Sequence, residues 1–195
     1  MGTLPPGAGY FWEGKRIRLR PKAEDDWQLD LQEWRDTESM RLLDYTVHPP
    51  TCVEREKKRN EERINRHPDN GMVWSIETMA CDLVGSIALN GIDQKNGTFH
   101  FSMRIAREHR RKGYGEEALR IVLRYAFHEL RLQKCNTACI EMNGPALALY
   151  KKIGFLEEGR RRRELFTNGR FYDNVLVGLT REEFDSNEGR TTPPA

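Results

Sequence analysis

Apolar residues recur along this chain with a spacing that switches between helical and extended periods. KRIRLR, residues 15–20, alternates before Pro21 and predicts a first strand. Residues 23–35 predict a helix with Glu24, Asp25 and Asp26 in its first turn, and 53–66 a second, highly charged helix. Between them 36–48 is expected as a loop, closed off by Pro49-Pro50. The period then becomes two in MVWSIET, LVGSIALNGI and TFHFSMRI, three successive strands with turns at 79–82 and 93–97. From 115 to 130 the helical period returns, with Ala118, Val122, Ala126 and Leu130 in one row and Leu119, Leu123 and Phe127 beside it. NTACIEM predicts a strand, and ALALYKKIGF a short helix ending at Gly154. Two last strands flank the Asn168-Gly169 turn. The order β-α-α-β-β-β-α-β-α-β-β implies an α/β or α+β fold, a mixed sheet with helices on its faces.

Composition narrows the class. The 195 residues fit a single domain, expected at 14–185, with tails at 1–13 and 186–195 rich in Gly, Pro and polar residues. Nothing approaches the roughly 18 apolar residues of a membrane span, and MGTLPPGAGYFWEG lacks a signal peptide's apolar region, so a cytoplasmic location and no membrane partner are expected. Cys52, Cys81, Cys135 and Cys139 show no metal-ligand spacing and are read as reduced thiols, without a metal. A net charge of +2 speaks against nucleic-acid binding by bulk electrostatics, and the basic runs lack interleaved aromatics on a strand face.

The positive charge is local. Arg104, Arg107, Arg110, Arg111 and Lys112 precede Gly113-Tyr114-Gly115 and the 115–130 helix. Unpaired N–H groups and the positive dipole end make such a helix start an anion site, and glycine permits close backbone approach. A phosphate or pyrophosphate is the natural ligand. Residues 113–118 also satisfy the dinucleotide fingerprint G-x-G-x-x-A, but that motif needs its first glycine almost at the strand end, and here 106–112 intervene. A nucleotide P-loop is excluded by the lack of GK[ST]. The pattern that remains is [QR]-x-x-G-x-[GA], as Arg110-x-x-Gly113-x-Gly115.

Farther on stand Asn143-Gly-Pro-Ala146 and Tyr150-Lys-Lys-Ile-Gly154-Phe155. Together with the glycine turn, the KRIRLRPKAEDD opening and Gly169-Arg-Phe-Tyr172-Asp173, these blocks resemble the GNAT superfamily of acetyl-CoA-dependent N-acetyltransferases over about residues 15–184. EGRRRRELFTNGRFYDNVLVGL is similar to the ending shared by its ribosomal-protein-alanine and spermidine branches. The resemblance implies about seven strands and four helices, with strand four (98–105) splayed from strand five (136–142) and a bulge near 103–105. It implies acetyl-CoA bound by Met103, Arg104 and Ile105, by Arg110, Arg111, Lys112, Gly113, Tyr114, Gly115 and Glu116, and by Asn143, Ala146, Tyr150 and Lys152. Arg110 and Lys112 would reach phosphate oxygens. A homodimer is a family habit.

Direct acetyl transfer to an amine needs a base, because a primary amine with pKa near 10.4 is charged at pH 7. It also needs an oxyanion donor, most simply a strand-four N–H, and an acid for the departing thiolate. Tyr150 holds the family's acid position. Relatives often carry a glutamate where this chain has His100, so the base is open between His100, Glu141 and a water relay. Asp36, Glu38, Asp44 and Tyr45 are candidates to receive the amine, which is a protein N-terminus, a polyamine or another small molecule. An acyl-CoA-binding sensor without turnover is the non-enzymatic alternative.

Overall fold

The computed structural model of the chain describes residues 10–65 and 71–191. Seven strands form one sheet in the order β1-β2-β3-β4-β5-β7-β6. They are β1 (Ile17–Pro21), β2 (Met72–Thr78), β3 (Leu83–Asp93), β4 (Thr98–Ile105), β5 (Lys134–Ile140), β6 (Leu156–Thr167) and β7 (Arg170–Thr180). All neighbours are antiparallel except β4 and β5. Six helices accompany them: α1 (Trp27–Glu33), α2 (Thr37–Leu43), α3 (Val53–Ile64), α4 (Tyr114–Arg124), α5 (Gly144–Ile153) and α6 (Arg181–Thr191). None of the helices described is long and apolar enough to cross a membrane.

The two faces of the sheet are held by different forces. On one, Ala118, Leu119, Val122, Leu123, Ala126 and Phe127 are fully buried against Ile87, Leu89, Phe99 and Phe101, as the helical spacing predicts. The helix widens into a π turn at Tyr125–Glu129, and Phe127 there stacks on Phe99 and Phe184. On the other face α1 and α3 are fastened by buried charge. Arg20 grips Asp26 through both Nη atoms at 2.9 Å, Ser75 Oγ donates to Asp26 at 2.5 Å, and Glu77 pairs with Arg18 and Arg20. Asp30 accepts from Lys22 and Arg63.

Four boundaries depart from the sequence reading. The expected loop 36–48 contains α2, because the Asp36 carboxylate caps it by accepting from the Ser39 N–H at 3.1 Å. Residues 1–9 of the expected N-terminal tail lie outside the described residues, but Phe11 and Trp12 pack on Trp74 and Tyr125. The chain continues past 185 as α6, whose Phe184 is fully buried and whose start is a reciprocal cap between Thr180 and Glu183. Residues 192–195 lie outside the description. Finally, β5 runs two residues earlier than expected, leaving Glu141 and Met142 in the turn before α5.

The Asp26 anchor yields a stability prediction. Burial alone would raise its carboxyl, but hydrogen bonds from Arg20, Ser75 and the Ala23 N–H outweigh that and hold it below its ordinary value. A depressed folded-state value means stability that is present above the unfolded carboxylate pKa and is lost as pH falls through the folded one. Asp26→Asn is expected to cost about 3 kcal/mol at pH 7. In urea melts its gap to the wild type should close as pH drops below about 4. A gap that stays constant with pH contradicts this assignment.

Candidate active site

The site begins where two parallel strands part. β4 and β5 pair only at Thr98–Lys134 and Phe99–Cys135. Beyond Phe99, β4 stays on β3 as far as Gly85–Ile105 while β5 stays on β7 through Ile140, and a wedge opens between them. The Ala106 N–H donates to the Val84 carbonyl at 2.9 Å. Backbone groups alternate sides along a strand, so those of Met103 and Ile105 face the wedge. No bulge is needed at 103–105: the β3–β4 irregularity lies instead at Asn90–Asp93, opposite the start of β4. The free edge comes from the divergence itself.

At the wide end the chain makes a short turn (Arg107–His109), and Arg111 (φ 60°) and Gly113 (φ 83°) take left-handed conformations before α4. The first bond of α4's ladder runs from the Glu117 N–H to the Gly113 carbonyl, so the N–H groups of Tyr114, Gly115 and Glu116 point out of the helix end. Gly115 permits close packing. A Cβ there would lie 3.2 Å from Met103 Cε and 3.4 Å from Ile105 Cγ1, so the glycine seats α4 on β4.

Three of the five cations ahead of the helix turn inward. Arg110 Nε donates to the Ile105 carbonyl at 2.9 Å, and its Nη2 reaches Asp36 at 3.0 Å and Ser39 Oγ. Arg107 pairs with Asp36 and Glu38, and Arg104 lies 3.9 Å from Glu33. Burial works against the Asp36 carboxylate, yet Arg107, Ser39 and Arg110 hold it far below the usual range. Burial raises Glu33, with Arg104 and Arg110 opposing. Arg110 thus braces β4 against α2, while Arg111 and Lys112 remain exposed. Glu116 accepts from Lys152 at 2.6 Å and from Arg120, tying α4 to α5. Of the carboxylates expected to face an amine, Asp36 is held by two arginines, and Glu38 meets Arg107 at the exposed rim.

On the other side of the wedge, Asn143 caps α5 by accepting from the Ala146 N–H at 3.2 Å, and Gly154 (φ 119°) ends it. Tyr150 stands edge-on to Phe101 at 5.7 Å and 5.5 Å from Phe155. Burial pushes its phenol well above the ordinary value. Cys139, Tyr45 and Cys135 add to this, and a hydrogen bond with Thr137 only partly opposes it. Tyr45 (φ 62°) donates to the Ala138 carbonyl of β5 at 3.4 Å, and Arg41 to Thr167 of β6 at 2.8 Å. Helix α2 thus spans the wedge from the glycine turn to β5 and β6. His100 is exposed, packs over Gly91, and points from the sheet face opposite Phe101 and hence opposite Tyr150. Glu141 accepts from the Asp173 N–H. Among the described residues, no group of three or more His, Cys, Asp or Glu is arranged to hold a metal ion.

The acetyltransferase (GNAT) domain matches residues 16–156. The chain belongs to the GNAT family. It is 33% identical over 187 residues to the SPbeta prophage-derived uncharacterized N-acetyltransferase YokL of Bacillus subtilis (strain 168), covering 92% of this chain and 98% of that one. It is 36% identical over 103 residues to YdaF of the same organism, which carries the provisional name of ribosomal N-acetyltransferase, covering 53% and 56% of the two chains. Its fold matches a crystal structure of spermidine N-acetyltransferase from Vibrio cholerae in complex with CoA and spermine, with TM-score 0.75 and 24% identity over 86% of this chain and 97% of that one.

This GNAT protein is an N-acetyltransferase that uses acetyl-CoA to acetylate an amine. The wedge suits that donor, with strand-edge groups along one side and helix N–H groups at its mouth. The glycines, Asn143 and Tyr150 named from the sequence all border the wedge, whereas the Arg16–Glu117 pair, the Tyr150–Thr137 hydrogen bond and the brace made by Asp36 were not anticipated. Only Asp36 left a local trace, an acidic residue three before Ser39 at a helix start.

The four thiols also differ in a measurable way. Burial raises Cys139 to about 11 and Cys135 well above its ordinary value, whereas Cys52 and Cys81 are exposed. Titration of the native protein with a thiol reagent at pH 7–8 should label two cysteines rapidly and all four only after denaturation. Fast labelling of Cys139 in the native protein contradicts the closed environment beside Tyr150.

Proposed function

We propose that the acceptor is the α-amine of a protein N-terminus, of the ribosomal-protein-alanine type, and that Tyr150 is the acid of the reaction. The observation carrying the acceptor assignment is the pairing of Asp36 and Glu38 with Arg107 and Arg110. A polyamine presents several positive charges and needs carboxylates to meet them. At α2 those carboxylates are engaged, and Asp44 beyond it pairs with His48 at 3.1 Å. A terminal amine is less demanding, since its pKa of about 7.7–8.0 leaves part of it neutral at pH 7. The exposed His100 imidazole, or solvent, suffices for the remaining deprotonation. The similarity to YdaF supports the same class.

Bound acetyl-CoA supplies a thioester whose acetyl carbon the amine attacks, with coenzyme A leaving as thiolate. We assign its pantetheine to the wedge-facing backbone of Met103 and Ile105, and its pyrophosphate to the N–H groups of 111–115. Arg104, Arg110, Glu116, Asn143, Ala146 and Lys152 hold these elements in place. A phenol is protonated at neutral pH, as an acid for a thiolate must be, and Tyr150 serves through its place beside the wedge although burial makes its proton harder to give up. The cytoplasm is the compartment consistent with such a substrate.

A thiol-release assay with peptides beginning in Ala or Ser, their N-terminally blocked forms, and spermidine tests the acceptor. Turnover is expected with free peptides and not with blocked ones. Faster turnover with spermidine overturns the assignment, and CoA binding without turnover on any amine favours an acyl-CoA sensor. Tyr150→Phe should lower kcat by about a hundredfold while leaving CoA affinity nearly unchanged. Unchanged kcat removes the acid role.

A further inference from the structure

We propose that Arg16, just before β1, is a phosphate ligand of the acetyl-CoA site. Its guanidinium lies against the turn at Gly113: a Cβ built on that glycine would fall 2.4 Å from Nη1 and 2.7 Å from Cζ and Nη2. Nη1 donates to the Lys112 carbonyl at 3.0 Å, and Nε donates to Glu117 Oε2 at 3.0 Å. The Arg16 backbone N–H donates to the other oxygen of the same carboxylate at 2.9 Å. Gly14 makes room for this grip, since a Cβ there would sit 1.9 Å from Glu117 Oε1. The turn that presents Arg16 is closed by the Gly14 N–H on the Ile17 carbonyl at 2.8 Å.

The guanidinium stands at the N-terminal end of α4, the positive end of the helix dipole, where Glu117 holds it. About five N–H donors fan out from a guanidinium. Nε and Nη1 serve Glu117 and the Lys112 carbonyl, and Nη2 lies beside Gly113. The side chain is 53% exposed and borders a cleft of about 260 Å³ between residues 13–16 and the first turns of α4. A planar cation with donors directed past a glycine at a helix start matches a phosphate group. In coenzyme A that group is the pyrophosphate or the 3′-phosphate. The motif arginine Arg110 is committed to Asp36 and the Ile105 carbonyl, so Arg16, from the turn before β1, joins the exposed Arg111 and Lys112 at this mouth.

The inference rests on acetyl-CoA as donor, and calorimetric titration separates the two. Wild type, Arg16→Gln, Arg16→Lys and Glu117→Gln are each titrated with CoA and with 3′-dephospho-CoA. Arg16→Gln should bind CoA about tenfold more weakly, with Arg16→Lys recovering most of the loss. Glu117→Gln, which removes the competing carboxylate, should bind CoA as tightly as wild type or more so. An equal loss with both ligands assigns Arg16 to the pyrophosphate, and a loss seen only with CoA assigns it to the 3′-phosphate. Wild-type affinity in Arg16→Gln overturns the proposal. So does a Glu117→Gln loss equal to that of Arg16→Gln, because Arg16 would then only fasten β1 to α4. A wild type that binds no CoA overturns the donor assignment itself.

Discussion

Everything at the site follows from a parallel contact that lasts two residues. β4 and β5 are joined at Thr98–Lys134 and Phe99–Cys135 and nowhere farther along. Past that point each strand satisfies one edge on its own antiparallel neighbour and leaves the other edge to the wedge. An unpaired edge inside a fold is expensive unless something hydrogen-bonds to it. Arg110 meets one of those needs by donating to the Ile105 carbonyl, and Tyr45 meets another at the Ala138 carbonyl on the opposite side. An extended ligand with amide groups, which acetyl-CoA has in its pantetheine arm, is the natural partner for the rest. The aromatic group of Phe101, Tyr150 and Phe155 lines one flank of the opening with apolar surface.

The charges follow from the same geometry. A strongly basic stretch suggests a cationic grip on phosphate, but most of its arginines are braces. Arg104, Arg107 and Arg110 turn towards Glu33, Asp36 and Glu38, and the Asp36 carboxylate stays ionised despite burial because two guanidinium groups and Ser39 surround it. Carboxylates buried among arginines contribute more to geometry than to net stability, since desolvation consumes much of their attraction. At the helix start that leaves the outward N–H groups and the dipole, with the exposed Arg111 and Lys112, as the features suited to an anion.

The periodic parts of the fold were readable because burial imposes period on sequence. The rows Ala118–Val122–Ala126 and Leu119–Leu123–Phe127 are buried on α4 and its π turn, and the seven strands appear in the expected order. α2 escaped notice because seven residues are too short to show a period, and its stability comes from a cap and long-range ion pairs. α6 was cut short because its polar composition hides a single buried anchor, Phe184, though the cap signal Thr180-x-x-Glu183 was present. The glycines and the Asn143 and Tyr150 blocks were legible as local motifs. The partners of the arginines were not, since Asp36 lies 71 residues from Arg107 and nothing local at either position announces the other.

The position of α2 links the two halves of the reaction. One end is held by the arginines of the glycine turn, and the residues after the other reach β5 through Tyr45, close enough to Tyr150 to add to the effect of burial on its phenol. Through Asp36 at one end and Tyr45 beyond the other, α2 therefore ties the glycine turn to β5 and the surroundings of Tyr150. Interactions this direct are the means by which one ligand alters the affinity of another. The two flanks of the wedge share one brace, and the Asp36 carboxylate stands at its centre.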